Sequence, residues 1–333
     1  MSYRFLYLFA FLLATSSFAA EQQFADIGDL VLTAGEVIED CRVGYRTYGE
    51  LNPEKSNVLV FPTWFAGTVE DLELAGNIGS GRLADTDKYF VVAIEALGNG
   101  VSSSPSNTDV FSRISTDDMV NSQHALLTGH LGITHVKAIM GISMGGMQTF
   151  RWIATYPDFM DKAIAIDGSP QMTSYDLLQW QTHRSIVRIM QNDGHSDDAI
   201  RVILSRVGLL TLYTPEFFLA RVPAAELPGF VEQSDQDYSG IYPDDYVSQL
   251  EAMIDHDVLG PNDTSAQRFF DELEASVLIV GVPGDHMVNQ TPAKQLASRI
   301  GAEYFELESI CGHYGTSCEE ATVSARVAKF LTE

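Results

Sequence analysis

The sequence predicts an α/β protein built on a mostly parallel sheet. Short, nearly continuous apolar runs recur along the chain, as in strands that are buried on both faces of such a sheet. Stretches with helical spacing lie between several of them, as the crossover connections of parallel strands require. The runs interpreted as strands are Asn57–Phe61, Tyr89–Ile94, Val136–Met140, Ala163–Ile166 and Val277–Val282.

Composition and charge narrow the class of partner. The 333 residues are 45% hydrophobic and 20% charged, which is typical of a folded globular protein. Twenty Lys and Arg against 45 Asp and Glu give a formal net charge of −25. A field of that sign repels phosphate backbones and anionic membrane surfaces, so we expect a small-molecule substrate and no nucleic-acid partner.

The N-terminus has the pattern of a secretory signal peptide at residues 1–19. Met1–Arg4 supplies a positive end, Phe5–Ala14 is apolar, and Ser17-x-Ala19 is a small-residue cleavage pattern. The alternative, a membrane anchor, is disfavoured because a spanning helix needs about 20 apolar residues. We therefore expect a secreted or periplasmic protein with no stable membrane insertion after signal removal.

The elements before the insertion are predicted as follows. Leu30–Thr33 and Arg42–Tyr48 suit strands and suggest an antiparallel hairpin. Thr116–Leu131 has approximately helical apolar spacing between two of the apolar runs, and Met147–Tyr156 is a second helical stretch.

A large insertion interrupts the α/β pattern. The connection from Asp167 to Ser276 is far longer than an ordinary crossover. We predict a helical cap at 171–265 and a core at 20–170 and 266–333. The cap's helical signals are Tyr175–Asn192, Asp197–Leu210 and Tyr242–Asp257. An insertion between two sheet strands is expected over the strand ends, where open α/β sheets bind ligands.

Gly141-Ile142-Ser143-Met144-Gly145-Gly146 lies between an apolar run and a helical stretch. A G-x-S-x-G motif in that position predicts a nucleophile elbow, with Ser143 on a sharp turn from strand to helix. Small residues at both flanks let the backbone pass without a clash, and the N–H groups at the start of the helix can stabilise an oxyanion.

A nucleophilic serine of this kind takes its acid and its histidine later in the chain, in that order. Asp285 follows the apolar run Val277–Val282, and His313 follows Tyr304–Leu307 near the C-terminus. We predict that Asp285 orients His313 and that His313 accepts the Ser143 proton. His286 and Asp167 are the alternatives for the histidine and the acid.

Two backbone donors are expected for the oxyanion. One is the N–H of Met144, which follows the nucleophile, and the other is in the loop after the first apolar run, where Trp64 is the candidate. Trp64 is also a candidate packing anchor for the cap, and the two roles are compatible.

The three cysteines are too few for a disulfide scaffold. Cys311 and Cys318 flank His313, so either a bridge pins that loop or all three, with Cys41, are buried thiols. Histidines and cysteines show no zinc-ligand spacing, and no metal or organic cofactor is expected.

Several segments together point to one known family. They are residues 57–67, Asp118-Met119-Val120, Leu131-Gly132-Ile133, the Gly141–Gln148 string, Tyr156-Pro157, Val282–Asp285 and Gly312-His313. In these segments the chain resembles the homoserine O-acetyltransferase family of α/β-hydrolase-fold proteins, which contains acetyl-CoA-dependent transferases and related esterases. The resemblance implies the α/β-hydrolase fold and, through that family, a homodimer formed by the cap.

Departures from the family pattern favour the esterase branch. The transferases carry Asp after the catalytic histidine, where it can bind the homoserine amine, and here that position is Tyr314. They also have a Gly-Cys-x-Gly-rich segment where this chain reads 97–105 without cysteine. Arg184 resembles the family's carboxylate-binding cap arginine, although a plain helix-surface charge fits it equally. An exported protein also lacks cytoplasmic acetyl-CoA.

We therefore expect an exported serine esterase that cleaves small or medium acyl esters through Ser143, His313 and Asp285. The alternative is an acetyl-CoA-dependent acyltransferase acting on homoserine or another alcohol. Leu177, Leu178 and Trp180 either line the acyl pocket or belong to the core of the cap.

Overall fold

The computed structural model describes residues 20–260 and 272–333. An eight-stranded sheet in the order β1-β4-β8-β5-β9-β10-β11-β12 forms its centre. The strands are β1 (Gln23–Asp26), β2 (Leu30–Val31), β3 (Val37–Ile38), β4 (Arg42–Tyr48), β5 (Val58–Pro62), β6 (Ile78–Gly79), β7 (Ala84–Asp85), β8 (Phe90–Ile94), β9 (Val136–Ile142), β10 (Met160–Ile166), β11 (Ser276–Gly281) and β12 (Glu303–Glu306).

The sheet is parallel from β8 to β12, as the apolar runs predict. Successive side chains of β5 serve different cores, because strand residues alternate between faces. Val58 and Val60 pack into the cluster on one face, and Leu59 and Phe61 pack into the cluster on the other. Burial on both faces is the physical reason that these strands read as continuous apolar runs.

The predicted N-terminal hairpin is wrong in its pairing. Leu30 pairs with Ile38 across a tight turn that contains Gly35 at φ 94°, so β2 and β3 form a separate two-stranded sheet. β4 instead pairs antiparallel with β1 on one side and with β8 on the other. The short turn closes the small hairpin before the chain reaches β4, which leaves β4 free to join the central sheet.

Helices cover both faces of the sheet, as the alternation predicts. In the part of the core that the structure describes, the helices are α1 (Val69–Leu74), α2 (Thr116–Ala125), α3 (Met144–Thr155), α9 (Thr291–Ile300), α10 (Gly315–Cys318) and α11 (Glu320–Thr332). α2, α3 and α9 pack into one hydrophobic cluster, whereas α1 and α11 pack into the other. The predicted helix Thr116–Leu131 is α-helical only to Ala125 and continues as a π-helical turn, Leu126–His130.

Five helices of the described residues lie between β10 and β11, within the range predicted for the cap. They are α4 (Ser174–Asn192), α5 (Asp197–Leu212), α6 (Pro215–Arg221), α7 (Leu227–Asp237) and α8 (Pro243–Ile254). A third hydrophobic cluster joins α4, α5 and α8 to the loops at the strand ends and includes Met144 and Met287. The predicted cap boundary at residue 265 lies outside the described residues, as does the predicted signal peptide.

No single helix of the described ranges is long and apolar enough to cross a membrane, although α5 and α6 together pass that test by length and composition across a 95° bend. The structure joins Cys311 and Cys318 in a disulfide and leaves Cys41 as a buried free thiol. Of the two alternatives left open by the sequence, the structure therefore has the bridge around His313.

Candidate active site

Ser143 lies on the turn between β9 and α3, as the elbow motif predicts. Its φ of 58° and ψ of −121° are unusual for a residue with a side chain, and such conformations cluster at functional sites. A Cβ on Gly141 would lie 2.1 Å from the backbone of Gly145, and one on Gly145 would lie 2.8 Å from the carbonyl oxygen of Pro62. Only glycine fits at either position, so the motif is required by the close approach of strand, turn and helix.

The structure brings Ser143, His313 and Asp285 into one hydrogen-bonded arrangement, here called the Ser–His–Asp array. Ser143 Oγ lies 2.8 Å from His313 Nε2, and His313 Nδ1 lies 2.7 Å from Asp285 Oδ2. His313, rather than its alternative His286, makes both contacts. With Nδ1 donating to the carboxylate, Nε2 is free to accept the serine proton.

Asp285 is held firmly in the loop after β11. Its Oδ1 accepts the backbone N–H groups of Met287 at 2.7 Å and Val288 at 2.9 Å, while Oδ2 faces His313. The carboxylate side chain is fully buried. Three hydrogen bonds thus fix the orientation of the carboxylate against the imidazole.

The pKa of His313 is raised above its ordinary value of 6.5. Burial lowers this pKa, but the charge of Asp285, its hydrogen bond and the charge of Asp167 together outweigh burial. Because a base must be neutral to accept a proton, this shift sets the lower pH limit of any reaction that uses His313.

Asp167, the alternative acid, ends β10 close to the array but makes no hydrogen bond to His313 within the described structure. It is completely buried at φ 48°. Its Oδ2 accepts the Thr316 hydroxyl at 2.5 Å, and its Oδ1 has no partner among the residues that the structure describes. Burial and the nearby Asp285 charge raise the pKa of Asp167 to about 7, against the opposing effects of His313 and Thr316.

The two predicted oxyanion donors lie on neighbouring segments. Met144 begins α3, and the carbonyl oxygen of Pro62, two residues before Trp64, packs against Gly145 in the same turn of helix. In the part of the chain that the structure describes, the backbone N–H groups of Trp64 and Met144 donate to no protein acceptor. The free N–H of Met144 directly follows Ser143 and suits a developing oxyanion, while the role of the Trp64 N–H stays a prediction.

The loop that carries Trp64 is held by residues that the sequence analysis missed. Gln148 donates from Nε2 to the carbonyl oxygens of Thr63 at 3.0 Å and Met144 at 3.2 Å, so one side chain joins both predicted donor segments. Gln148 is the last residue of the Ser-Met-Gly-Gly-Met-Gln string, and that string is the sequence signal from which its role could have been predicted. The Trp64 indole fills the space beside Gly67, where a Cβ would meet Nε1 at 2.1 Å.

The predicted substrate-binding residues lie on the cap side of the array. Tyr314 is 39% exposed and stacks on Tyr213 of the cap, with ring centroids 4.8 Å apart. Arg184 on α4 approaches Glu251 on α8 at 3.9 Å. Its role in binding substrate stays a prediction, because this contact pairs the guanidinium within the cap.

The candidate acyl-pocket residues differ in burial. Trp180 is buried edge-on against Phe65, which follows Trp64, at 5.6 Å between ring centroids. Leu178 is 66% exposed and therefore does not belong to the core of the cap, while Leu177 is half-buried. Trp180 is thus the member of the predicted set that contacts the loop carrying Trp64.

A cavity of about 270 Å³ lies between that loop and the cap. Its wall includes Ala66 and Gly98 from the core. Four acidic residues also line it, namely Glu70, Asp71, Asp237 and Asp245. Among the described residues, no group of three or more His, Cys, Asp or Glu side chains is arranged to hold a metal ion.

A serine elbow on a parallel sheet with its histidine and acid on later loops defines an α/β hydrolase. The chain belongs to this family, because the model of the alpha/beta hydrolase fold matches residues 57–316. The eight-stranded, mostly parallel sheet agrees with the predicted fold class.

Relatives include both esterases and transferases. The chain is 38% identical over 162 residues to an ethyl acetate hydrolase of Pseudomonas veronii, and the match covers 47% of this chain and 46% of that protein. It is 27% identical over 355 aligned positions to a homoserine O-acetyltransferase of Methanococcus vannielii, covering 92% of this chain and 71% of that one. The matched part is thus about half the length of the hydrolase.

A solved acetylester hydrolase from Corynebacterium glutamicum superposes with a TM-score of 0.86 at 25% identity, covering 94% of this chain and 96% of that chain. These comparisons confirm the predicted resemblance to a family that includes homoserine O-acetyltransferases and esterases.

Proposed function

We propose that this protein is an exported serine esterase that cleaves small or medium acyl esters, and that Ser143, His313 and Asp285 form its catalytic triad. The observation that carries the proposal is the Ser–His–Asp array, with contacts of 2.8 and 2.7 Å. The pattern at residues 1–19 supports export.

The first half of the reaction forms an acyl-enzyme. Ser143 Oγ attacks the ester carbonyl carbon while His313 Nε2 takes the hydroxyl proton. The carbonyl oxygen becomes an oxyanion, which the N–H groups of Met144 and Trp64 stabilise. When the tetrahedral intermediate collapses, the bond to the leaving alcohol breaks and His313 returns the proton to that alcohol.

The second half repeats these steps with water. His313 removes a proton from a water molecule, and the resulting hydroxide equivalent attacks the acyl carbon. Collapse of the second intermediate breaks the bond to Ser143, releases the carboxylic acid and restores the serine hydroxyl. Asp285 stabilises the imidazolium in both halves without itself taking the proton.

Hydrolysis is favoured over transfer from acetyl-CoA by charge as well as by export. A formal charge of −25 opposes the approach of a polyanionic acyl donor. Tyr314 also places a stacked ring where a transferase would need a carboxylate for the substrate amine. The hydrolase names of two relatives support the same choice.

The alternative activity is acyl transfer to homoserine or another alcohol. The observation that favours it is the 27% identity to a homoserine O-acetyltransferase along 92% of this chain. The triad would form the same acyl-enzyme, and an alcohol would replace water in the second half.

The homodimer expected from the family resemblance is proposed to use the cap. Leu210 and Leu219 on neighbouring cap helices are 73% and 89% exposed. Exposed apolar side chains of this size support a protein interface on that surface.

The test compares the protein, freed of residues 1–19, with its Ser143→Ala variant. We expect hydrolysis of p-nitrophenyl acetate or butyrate to fall by about 10⁴-fold or more in the variant, with no CoA release from acetyl-CoA and homoserine. Homoserine-dependent CoA release would instead establish the transferase. Ester hydrolysis that survives in Ser143→Ala would contradict the assigned nucleophile.

A further inference from the structure

The loop between β5 and α1, residues 63–67, carries the predicted oxyanion donor Trp64 and is held from two sides. From the core, Gln148 on α3 donates to the Thr63 carbonyl oxygen at 3.0 Å. From the cap, Gln249 on α8 accepts the Ala66 backbone N–H at its Oε1, at 2.8 Å. The contact from the cap joins residues 183 positions apart.

Ala66 needs this support because its backbone is in a region that side chains disfavour. Its φ is 56°, in the left-handed region that favours glycine. Such a conformation persists where the surroundings fix it. In the described structure, the hydrogen bond that holds the Ala66 N–H comes from Gln249, so this side chain stabilises the strained turn two residues after Trp64.

Gln249 is itself fixed in place. Its side chain is fully buried, and its Nε2 donates to the Leu97 carbonyl oxygen at 3.1 Å. Its Cγ would lie 3.2 Å from a Cβ on Gly98, so the absence of a side chain at Gly98 makes room for it. One cap glutamine therefore bridges the backbone of two loops that follow β5 and β8.

Phe65 strengthens the connection between this loop and the cap. Its ring contacts Tyr246 on α8 at 4.5 Å and Trp180 on α4 at 5.6 Å between centroids. Both residues directly after Trp64 are thus held by cap helices rather than by the sheet.

We propose that Gln249 is a positioning residue through which the cap sets the direction of the Trp64 N–H towards the oxyanion. The proposal rests on the proposed function in one respect, the role of Trp64 as a donor. Gln249 contacts the backbone of Ala66 and Leu97 and does not touch the reacting atoms. A merely structural glutamine would instead anchor the cap without affecting the transition state.

The first variant is Gln249→Leu, which removes both hydrogen bonds. We expect kcat for p-nitrophenyl acetate to fall about tenfold or more, while KM stays within about twofold, because an oxyanion donor acts mainly in the transition state. The control is Ser205→Ala, which removes a partly buried hydrogen bond to Asp235 between α5 and α7, away from the loop. The control should keep the kcat of the unmodified protein.

The second variant, Gln249→Glu, tests the two hydrogen bonds separately. It also tests the positioning role of Gln249 if Gln249→Leu does not fold. In its ionised form, which an assay at pH 9 favours because burial raises the pKa of a glutamate, the side chain still accepts from the Ala66 N–H but cannot donate to the Leu97 carbonyl oxygen. We expect it to retain kcat within about threefold. A structural anchor that depends on Leu97 would instead make the glutamate variant as poor as the leucine variant.

The deciding readout is the rate at which a fluorophosphonate probe labels Ser143, since this reaction also develops charge on an oxygen but requires no particular ester. The labelling rate of Gln249→Leu should fall by the same factor as its kcat. Labelling at the unmodified rate, or a rise in KM alone, would overturn the positioning role and leave the esterase proposal intact. An unmodified protein that neither labels nor hydrolyses esters would overturn both.

Discussion

Two neighbouring strand ends carry buried aspartates with opposite surroundings. Asp285, after β11, accepts two backbone N–H groups and the His313 imidazole. Asp167, after β10, accepts one hydroxyl hydrogen bond and leaves its other oxygen without a partner among the described residues. The pKa of Asp167 is raised to about 7, chiefly by burial. The comparison teaches that hydrogen-bond donors, rather than position on the sheet, decide which carboxyl supports a charged imidazole.

The largest expected effect is a difference in kcat between variants of the two aspartates. Asp285→Asn should lower kcat for p-nitrophenyl acetate by about 10⁴-fold, because an amide leaves His313 in the wrong tautomer. Asp167→Asn should stay within about tenfold of the unmodified protein, since Asp167 makes no hydrogen bond to His313. Steady-state kinetics of both variants at pH 8 test this. Equal losses would show that the two carboxyls share the role.

A smaller effect is expected on the pH dependence of the free energy of unfolding, and it concerns Asp167. Burial and the Asp285 charge raise the pKa of Asp167 from 3.8 to about 7, so the folded state keeps this proton to a higher pH than the unfolded state does. This difference destabilises the folded state. The destabilisation is absent at a pH below the pKa of Asp167 in the unfolded state, and it grows as the pH rises towards 7. Asp167→Asn should therefore become more stabilising, relative to the unmodified protein, by about 2 kcal/mol between pH 5 and pH 8.

Urea titrations at the two pH values measure this difference, and Asp161→Asn is the control. Burial opposes ionisation of Asp161, but hydrogen bonds and charges of His135 and Lys137 lower the pKa of this half-exposed group below 3.8. Asp161 is then ionised in both states from pH 5 upwards, and its contact with His135 is about half exposed and therefore weak, so its variant should show a much smaller trend. If the effect of Asp167→Asn on the free energy of unfolding were the same at both pH values, the folded protein would have to stabilise the buried charge of Asp167.

The sequence predicts the parts of this comparison that depend on local patterns. The apolar runs located the parallel strands, the glycines around Ser143 located the elbow, and the order acid then histidine singled out Asp285 and His313. From the sequence, Asp167 remained the alternative acid because each of the two aspartates follows a strand. Only the three-dimensional contacts of their oxygens separate them.

Long-range contacts lie beyond such patterns. Gln249 meets Ala66 across 183 positions, and Thr316 meets Asp167 across 149. No periodicity encodes either pair. α6 and α7 were both missed for a different reason. They are short, at 7 and 11 residues, and α6 has its apolar residues in one consecutive run rather than at helical spacing.

The smallest expected effect is a displacement of the pH profile. His313 must be neutral to accept the Ser143 proton, so kcat/KM should rise with pH through the His313 pKa. Burial lowers that pKa, but the charge and hydrogen bond of Asp285 and the charge of Asp167 raise it above 6.5. The rising limb of the unmodified protein should therefore be centred above pH 6.5.

Asp167→Asn removes one of the two carboxylates that stabilise the His313 cation. The rising limb of the kcat/KM profile of this variant should therefore move to lower pH. The shift should be less than about one pH unit, because Asp167 titrates in the same range and is only partly charged there. Tyr304, another titratable group that Asp167 influences, has a pKa of about 12, raised mainly by burial, and stays neutral in this range. Asp161→Asn makes the same change in net charge elsewhere and should leave the limb in place. A limb that stays fixed in Asp167→Asn would mean that Asp167 remains protonated throughout and that Asp285 alone sets the basicity of His313.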